Sequence, residues 1–149
     1  MNILDRANYS DVTISPQQDP EPQPRPNLAL GKPATASTSA GSTPGLAVDG
    51  NVSTRWGSER TDDQWFQVDL GAPTSVRGVT MLWEAAYARS YALQVSDDGT
   101  SWRDVRSTTA GAGGVETVDF APTTTRYVRM PGIQRATQYG YSLWEFQVH

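Results

Sequence analysis

Trp65-Phe66-Gln67-Val68-Asp69-Leu70-Gly71-Ala72-Pro73 places Phe66, Val68 and Leu70 on one face of an extended segment and Trp65, Gln67 and Asp69 on the other, before Gly71 and Pro73 signal a turn. Alternation with period two marks a strand that covers a core with one face only. The pattern recurs along the chain. Val79, Met81 and Trp83 share a face in Val79–Trp83, Tyr91, Leu93 and Val95 in Tyr91–Val95, and Trp144, Phe146 and Val148 in Leu143–Val148. Val115–Phe120 and Arg126–Met130 are further strand candidates. Turn signals stand between them at Gly71–Pro73, Asp97–Gly99, Ala110–Gly114, Ala121-Pro122 and Pro131-Gly132. No helical periodicity after Asn27 outlasts a turn or two. With the residues that follow Asn27, about eight strands are expected: an all-β chain, a β-sandwich with jelly-roll connections rather than a parallel α/β sheet.

The 149 residues suffice for one domain with sequence to spare at the start. Residues 1–14 carry no readable assignment. Residues 15–26, SPQQDPEPQPRP, have alternating prolines and no apolar residue, and read as a semi-rigid polyproline linker to a neighbouring domain. Residues 27–149 hold the strand pattern. Met1–Ser10 lacks the basic end and apolar run of a secretion signal, so the chain reads as mature or excised, and no window approaches the ~20 apolar residues of a membrane span.

Composition narrows the function further. The net charge is −4 and Lys32 is the one lysine among twelve basic residues, which argues against nucleic acid or anionic lipid as partner. Cysteine is absent, so disulfides, thiolate metal sites and cysteine nucleophiles are excluded. The sole histidine is His149, no serine sits in a GxSxG context, and the free acids Asp62, Asp63, Asp97 and Asp98 fall in turns. Acid–base machinery for an enzyme is therefore thin.

One loop stands apart. Leu46-Ala47-Val48-Asp49-Gly50-Asn51-Val52-Ser53-Thr54-Arg55-Trp56 puts Asp49, Asn51 and Thr54 at offsets of two and five residues around a tight turn. That spacing suits either a hard cation such as calcium or an Asx turn without metal.

Several phrases in order, NLALGKPATAS (27–37), AVDGNVSTRWGS (47–58), QWFQVDLG (64–71), YALQVSDDGTSW (91–102), RYVRM (126–130) and GYSLWEFQV (140–148), resemble the discoidin or coagulation-factor type C domain and, within it, the family 32 carbohydrate-binding modules. The resemblance covers Asn27 to His149. It implies an eight-stranded jelly-roll sandwich, of galactose-binding-domain type, with its ligand site on loops at one end. It also implies a structural calcium held by the Leu46 carbonyl, Asp49, Asn51, Thr54 and Glu145. The alternative for Glu145 is a rim carboxylate on the last strand.

Sugar recognition needs flat apolar faces and planar bidentate partners for hydroxyl pairs. Two loops offer them, Glu84 to Arg89 and Gln134 to Tyr141, and Arg55, Glu59 and Arg60 flank the turn described above. Candidate binding residues are thus Arg55, Glu59, Arg60, Glu84, Tyr87, Tyr139 and Tyr141. Their structural alternatives are a brace for the turn (Arg55), a pair with Arg89 (Glu84) and lids on the sandwich (Tyr139, Tyr141). Trp56, Trp83, Tyr91 and Trp102 read as core or strand-packing aromatics and Trp65 as an edge cover. The words WEAAYARSY (83–91) and QRATQYGYSLWEF (134–146) look most like modules attached to bacterial chitosanases and β-1,3-glucanases. In the chitosan binders, acids receive the glucosamine ammonium beside an arginine and a tyrosine. Glu84 and Arg55 match, whereas Ser37–Ser42 has no acid and Arg60 stands where a tyrosine is usual. The expectation is a monomeric, secreted, non-catalytic module that targets a catalytic domain or surface protein to a polysaccharide, chitosan or a β-1,3-glucan. The alternative is an adhesion module for a protein or a membrane surface.

Overall fold

The computed structural model describes residues 25–149; the segment 1–14 and most of the linker read at 15–26 lie outside the described residues. Seven strands run in order: β1 Ala34–Ala36, β2 Trp56–Gly57, β3 Trp65–Trp83, β4 Ala88–Ser96, β5 Arg103–Thr108, β6 Val115–Arg135 and β7 Ser142–Val148, with one 3₁₀ turn at Pro44–Ala47. All pairings are antiparallel.

β3 and β6 each cross from one layer of a sandwich to the other. The first halves of β3 and the last of β6 (Trp65–Asp69 with Tyr127–Pro131) join β1, β4 and β5; the remaining halves (Gly78–Leu82 with Val115–Asp119) join β7 and β2. These two strands thus supply four layer segments, and β1, β4, β5 and β7 the other four of the jelly roll, with β2 a two-residue bridge. The turn signals at Gly71–Pro73 and Ala121-Pro122 do not end strands. They fall at register shifts, between Asp69 and Thr74 and opposite Val76 to Gly78, where the paired strands bend around the corner of the sandwich. Pro131-Gly132 also lies inside β6, with Pro131 opposite Trp65.

The expected apolar faces meet between the layers except in β7. There a register shift against Leu82 and Trp83 puts Leu143 in the core with Phe146 and Val148 and leaves Trp144, expected beside them, half buried outside it. Trp56, Phe66 and Phe146 form a tilted aromatic stack with centroids 5.3 and 5.0 Å apart, and Val68, Val79, Met81, Leu93, Val128, Met130 and Leu143 close around it. Each such side chain, fully buried, contributes about 1.5–3 kcal/mol. Trp83 and Tyr91 are core residues as expected. Trp102 takes the strand-packing alternative: it precedes β5, is half buried, and packs on the outward side chains of β6. There the Arg129 guanidinium lies between the rings of Trp102 (4.1 Å) and Trp65 (4.3 Å) while its Nε and Nη2 both donate to Gln67 Oε1 (3.0 and 2.8 Å). Burial pulls the Arg129 pKa down, and no carboxylate pairs with it among the described residues. The stack ties β3, β6 and the start of β5 by planarity more than by charge. Arg129→Lys, which keeps the charge and loses the fork, should cost about 2 kcal/mol and lower the melting temperature by roughly 5–8 °C. A melt within a degree of the parent would refute the stapling role.

β7 starts at the end carrying the loops and finishes about 20 Å away. At that far end Leu28 N–H donates to Val148 O (2.7 Å) and Asn27 Oδ1 accepts from Val148 N–H (3.2 Å). His149 donates Nδ1–H to the Pro26 carbonyl (3.0 Å), leaving Nε2 to accept from the Thr80 hydroxyl (2.9 Å). Burial keeps this imidazole below its ordinary pKa. Arg25 pairs with Asp119 (2.7 Å), so the two described residues of the stretch read as linker are bonded to the domain.

Candidate functional site

The sheet order places β2 beside β7 and β7 beside β3, so Gly57, Ser142 and Trp83 come together at one end. Glu84 N–H donates to Ser142 O and Ser142 N–H to Ala86 O, both at 2.9 Å, which seats the Glu84–Ala86 loop against the start of β7. Ser58 N–H donates to Tyr141 O (2.8 Å), and Ser58 Oγ accepts from Tyr141 N–H (2.9 Å). The loop after β2 is thereby locked to the loop before β7. Gly140 permits this approach, since a Cβ there would lie 2.1 Å from Ser58 O. The buried Gln64 amide holds the same loop from below, accepting from Ser37 and Thr38 and donating to Thr61.

These loops enclose an open trough of about 580 Å³. Of the seven predicted binding residues, Arg55, Glu59, Arg60, Glu84, Tyr139 and Tyr141 line it and Tyr87 does not. Tyr87 lies just behind the wall, its ring flat on Gly113 and its carbonyl accepting from Ala136 N–H. Tyr141 lines the trough as a buried wall: its hydroxyl donates to Asp62 O (2.6 Å), its ring lies 6.4 Å from Trp83, and burial pushes its phenol pKa up. Tyr139 is the exposed aromatic, 51% accessible, with the Arg60 guanidinium over its ring at 5.1 Å. Arg55, expected either to bind or to brace the turn, donates to Ser142 Oγ (2.8 Å) and sits 5.9 Å from the Trp144 ring. Glu84 does not pair with Arg89. Its Oε1 accepts from Ala86 N–H (3.1 Å), leaving the other oxygen free to face a ligand. Asp62, expected as a plain turn acid, is the anchor of the rim: Arg135 pairs with it at 2.8 Å and holds its carboxyl below the usual range. Ser58, Ser142 and Gln64 escaped sequence reasoning, because nothing in a lone polar residue announces which loop it will clasp.

The Asp49 loop shows a second convergence. Thr54 Oγ1 lies 2.6 Å from Asp49 Oδ2, 3.0 Å from Asn51 O and 3.3 Å from Leu46 O, three acceptors for a hydroxyl with one proton. Asn51 faces the cluster with its main-chain oxygen; its side chain accepts from Ser53 N–H in an Asx turn. Glu145, 1% exposed, reaches the loop from β7: Oε1 accepts from Gly50 N–H at 3.3 Å and Oε2 is buried with no partner. Burial, and then the Asp49 carboxylate beside it, raise the Glu145 pKa to about 7. Burial would raise Asp49 as well, but hydrogen bonds from Thr54 and Asn51 outweigh it and the net shift is downward. One carboxylate and two carbonyls around a hydroxyl, with the Glu145 carboxyl beside Asp49, form a hard oxygen donor set short of positive charge.

The sequence signature of the F5/8 type C domain matches residues 33–146. The chain belongs to that family. As an F5/8 type C domain it shares its jelly roll with chitosan-binding module 1 of a chitosanase/glucanase from Paenibacillus sp. IK-5, at 50% identity over 84% of this chain and 99% of that one, TM-score 0.81. Chitosan-binding module 2 of the same enzyme, solved in complex with chitotriose, is 45% identical over 83% of this chain and 99% of that one, TM-score 0.80. A curated relative, the polysaccharide lyase 8 family protein HylA of Enterococcus faecalis, is 36% identical over 74 residues. These are half of this chain, which spans about 5% of the length of HylA.

Proposed function

We propose that this F5/8 type C domain is a non-catalytic carbohydrate-binding module that holds a polysaccharide in the trough at the β3–β7 end, with chitosan as ligand and a neutral β-1,3-glucan as the second choice. One observation carries the reading: Glu84 and Glu59 line a trough that is also lined by an exposed tyrosine and two arginines. An ammonium group is received by the free Glu84 oxygen, the CH face of a pyranose ring lies on Tyr139, and Arg55, pre-positioned by Ser142, donates to ring hydroxyls. The two similar modules that bind chitosan by name cover nearly the same stretch. Lipid adhesion finds no support in a rim with one exposed large apolar side chain, Tyr139, and no lysine.

A structural calcium fits the donor set of the Asp49 loop. Leu46 O, Asp49, Asn51 O, Thr54 and Glu145 would hold it, joining the loop to the last strand, and a bound ion would supply positive charge to these acceptors. The module works beside a catalytic domain in a longer extracellular polypeptide, where a shallow site of modest affinity gains from tethering.

Affinity electrophoresis over chitosan, laminarin, chitin, galactan and cellulose tests the proposal. Retardation should be strongest with chitosan and be lost on full N-acetylation. Equal retardation by both forms would select the neutral glucan, and none by any polysaccharide would sink the carbohydrate reading.

A further inference from the structure

The charges in the trough do not suit a uniformly cationic chain. Four charged side chains line it, Arg55, Glu59, Arg60 and Glu84. Arg55 is committed to Ser142 and the Trp144 face, and half of Glu84 to Ala86 N–H. Arg60 differs from both. Its guanidinium is laid over the exposed Tyr139 ring at 5.1 Å and, among the described residues, has neither an ion-pair partner nor a hydrogen-bond acceptor, although Glu59 is its neighbour in the chain. A saccharide ring seated on Tyr139 therefore brings its substituents against five unclaimed N–H donors.

We infer that Arg60 sets the substitution pattern of the ligand: the site takes a glucosamine chain of mixed acetylation, with a free amine at Glu84 and an acetamide carbonyl at Arg60. This rests on the proposed function and sharpens it. An ammonium carries only donors and positive charge, so Arg60 cannot bond to it and repels it. A carbonyl oxygen accepts from the guanidinium edge without a charge penalty. A carboxylate would also accept, but the two arginines lining the trough are balanced by Glu59 and Glu84, and Asp63 adds a further negative charge to the same loop, so an anionic chain gains nothing from the local field.

Titration calorimetry with chito-oligosaccharides of one length decides the point, using the fully deacetylated chain, the chain with one internal acetamide and the fully N-acetylated chain. The parent protein should bind the mono-acetylated chain about fivefold more tightly than the deacetylated one, and the fully acetylated chain most weakly of the three. Arg60→Met should reverse the first preference, gaining about fivefold for the deacetylated chain. Arg60→Lys, which keeps the charge without the fork, should still disfavour the deacetylated chain yet lose the gain from the acetamide. The inference is overturned if the parent and Arg60→Met rank the three chains alike while both melt at the same temperature, or if an oligouronate binds the parent more tightly than any of them. Binding of laminari-oligosaccharides with no chito-oligosaccharide bound would overturn the chitosan reading itself, a result distinct from an unchanged ranking.

Discussion

In the presence of a chelator the melting temperature of the domain should fall by roughly 10 °C as the pH rises from 5 to 8, and calcium should abolish that fall. The cause is Glu145. Burial and the neighbouring Asp49 carboxylate raise its pKa to about 7 from an ordinary value of 4.5. A carboxyl whose proton is held more tightly in the folded than in the unfolded chain contributes stability below its unfolded pKa. That contribution is lost as the pH climbs through its folded pKa. Over the window from about 4.5 to 7 the loss amounts to about 3 kcal/mol, which for a domain of this size is roughly 10 °C. Asp49, shifted downward, works in the opposite direction below the ordinary carboxylate range; His149, which burial holds below its ordinary pKa of 6.5, also works in the opposite direction as the pH rises toward that value, so the fall due to Glu145 is steepest above it. Bound calcium favours the ionised form of both acids, so its stabilisation should be small at pH 5 and grow toward pH 8. Glu145→Gln should remove the fall in chelator, leaving the rise that His149 gives below pH 6.5, and remove the response to calcium with it. Parallel melting profiles with and without the ion would dispose of the metal site.

What the chain reveals in advance divides along a physical line. Period-two faces such as Phe66, Val68 and Leu70 are local, and each lands in the core. Which strands adjoin is not local. Glu84 follows β3, Arg55 precedes β2 and Tyr141 precedes β7, and they share a trough because the sheet order is β2-β7-β3, an order no short window encodes. The same limit explains the misread turns. Gly71–Pro73 has turn chemistry, but a partner strand running past it makes a bulged corner instead.

Aromatic residues show the limit most plainly. Trp56 and Trp102 look alike in sequence, one after a loop and one before a strand. One is sealed in the core, with Nε1–H donating to Thr38 O, and the other rests on an arginine at the surface. Tyr139 and Tyr141 are two residues apart, and their opposite fates depend on Gly132, where a Cβ would lie 2.3 Å from the Tyr141 ring. A glycine at that point of β6 lets the ring lie flat on the strand and turns Tyr141 into a wall, leaving Tyr139 as the free face.

Replacing Glu84 by glutamine should weaken binding of deacetylated chito-oligosaccharides at least tenfold and leave the melting temperature and any binding of neutral β-glucan unchanged. Glutamine keeps the shape and an acceptor for Ala86 N–H, so the loop between β3 and β4 stays in place. The change removes only the charge of the carboxylate, whose second oxygen makes no hydrogen bond among the described residues. A charge-assisted hydrogen bond from an ammonium contributes about 1.5–3 kcal/mol, and partial solvent access at this open site puts the expected loss near the lower end, about tenfold in affinity. Tyr139→Ala provides the contrast, because a stacking surface serves charged and neutral rings alike: it should weaken both ligand classes by similar factors. The two substitutions thus separate recognition of the amine from recognition of the ring. Should Glu84→Gln bind the deacetylated chain as tightly as the parent, the ammonium would have to be received elsewhere, and Glu59 across the trough would be the next carboxylate to remove.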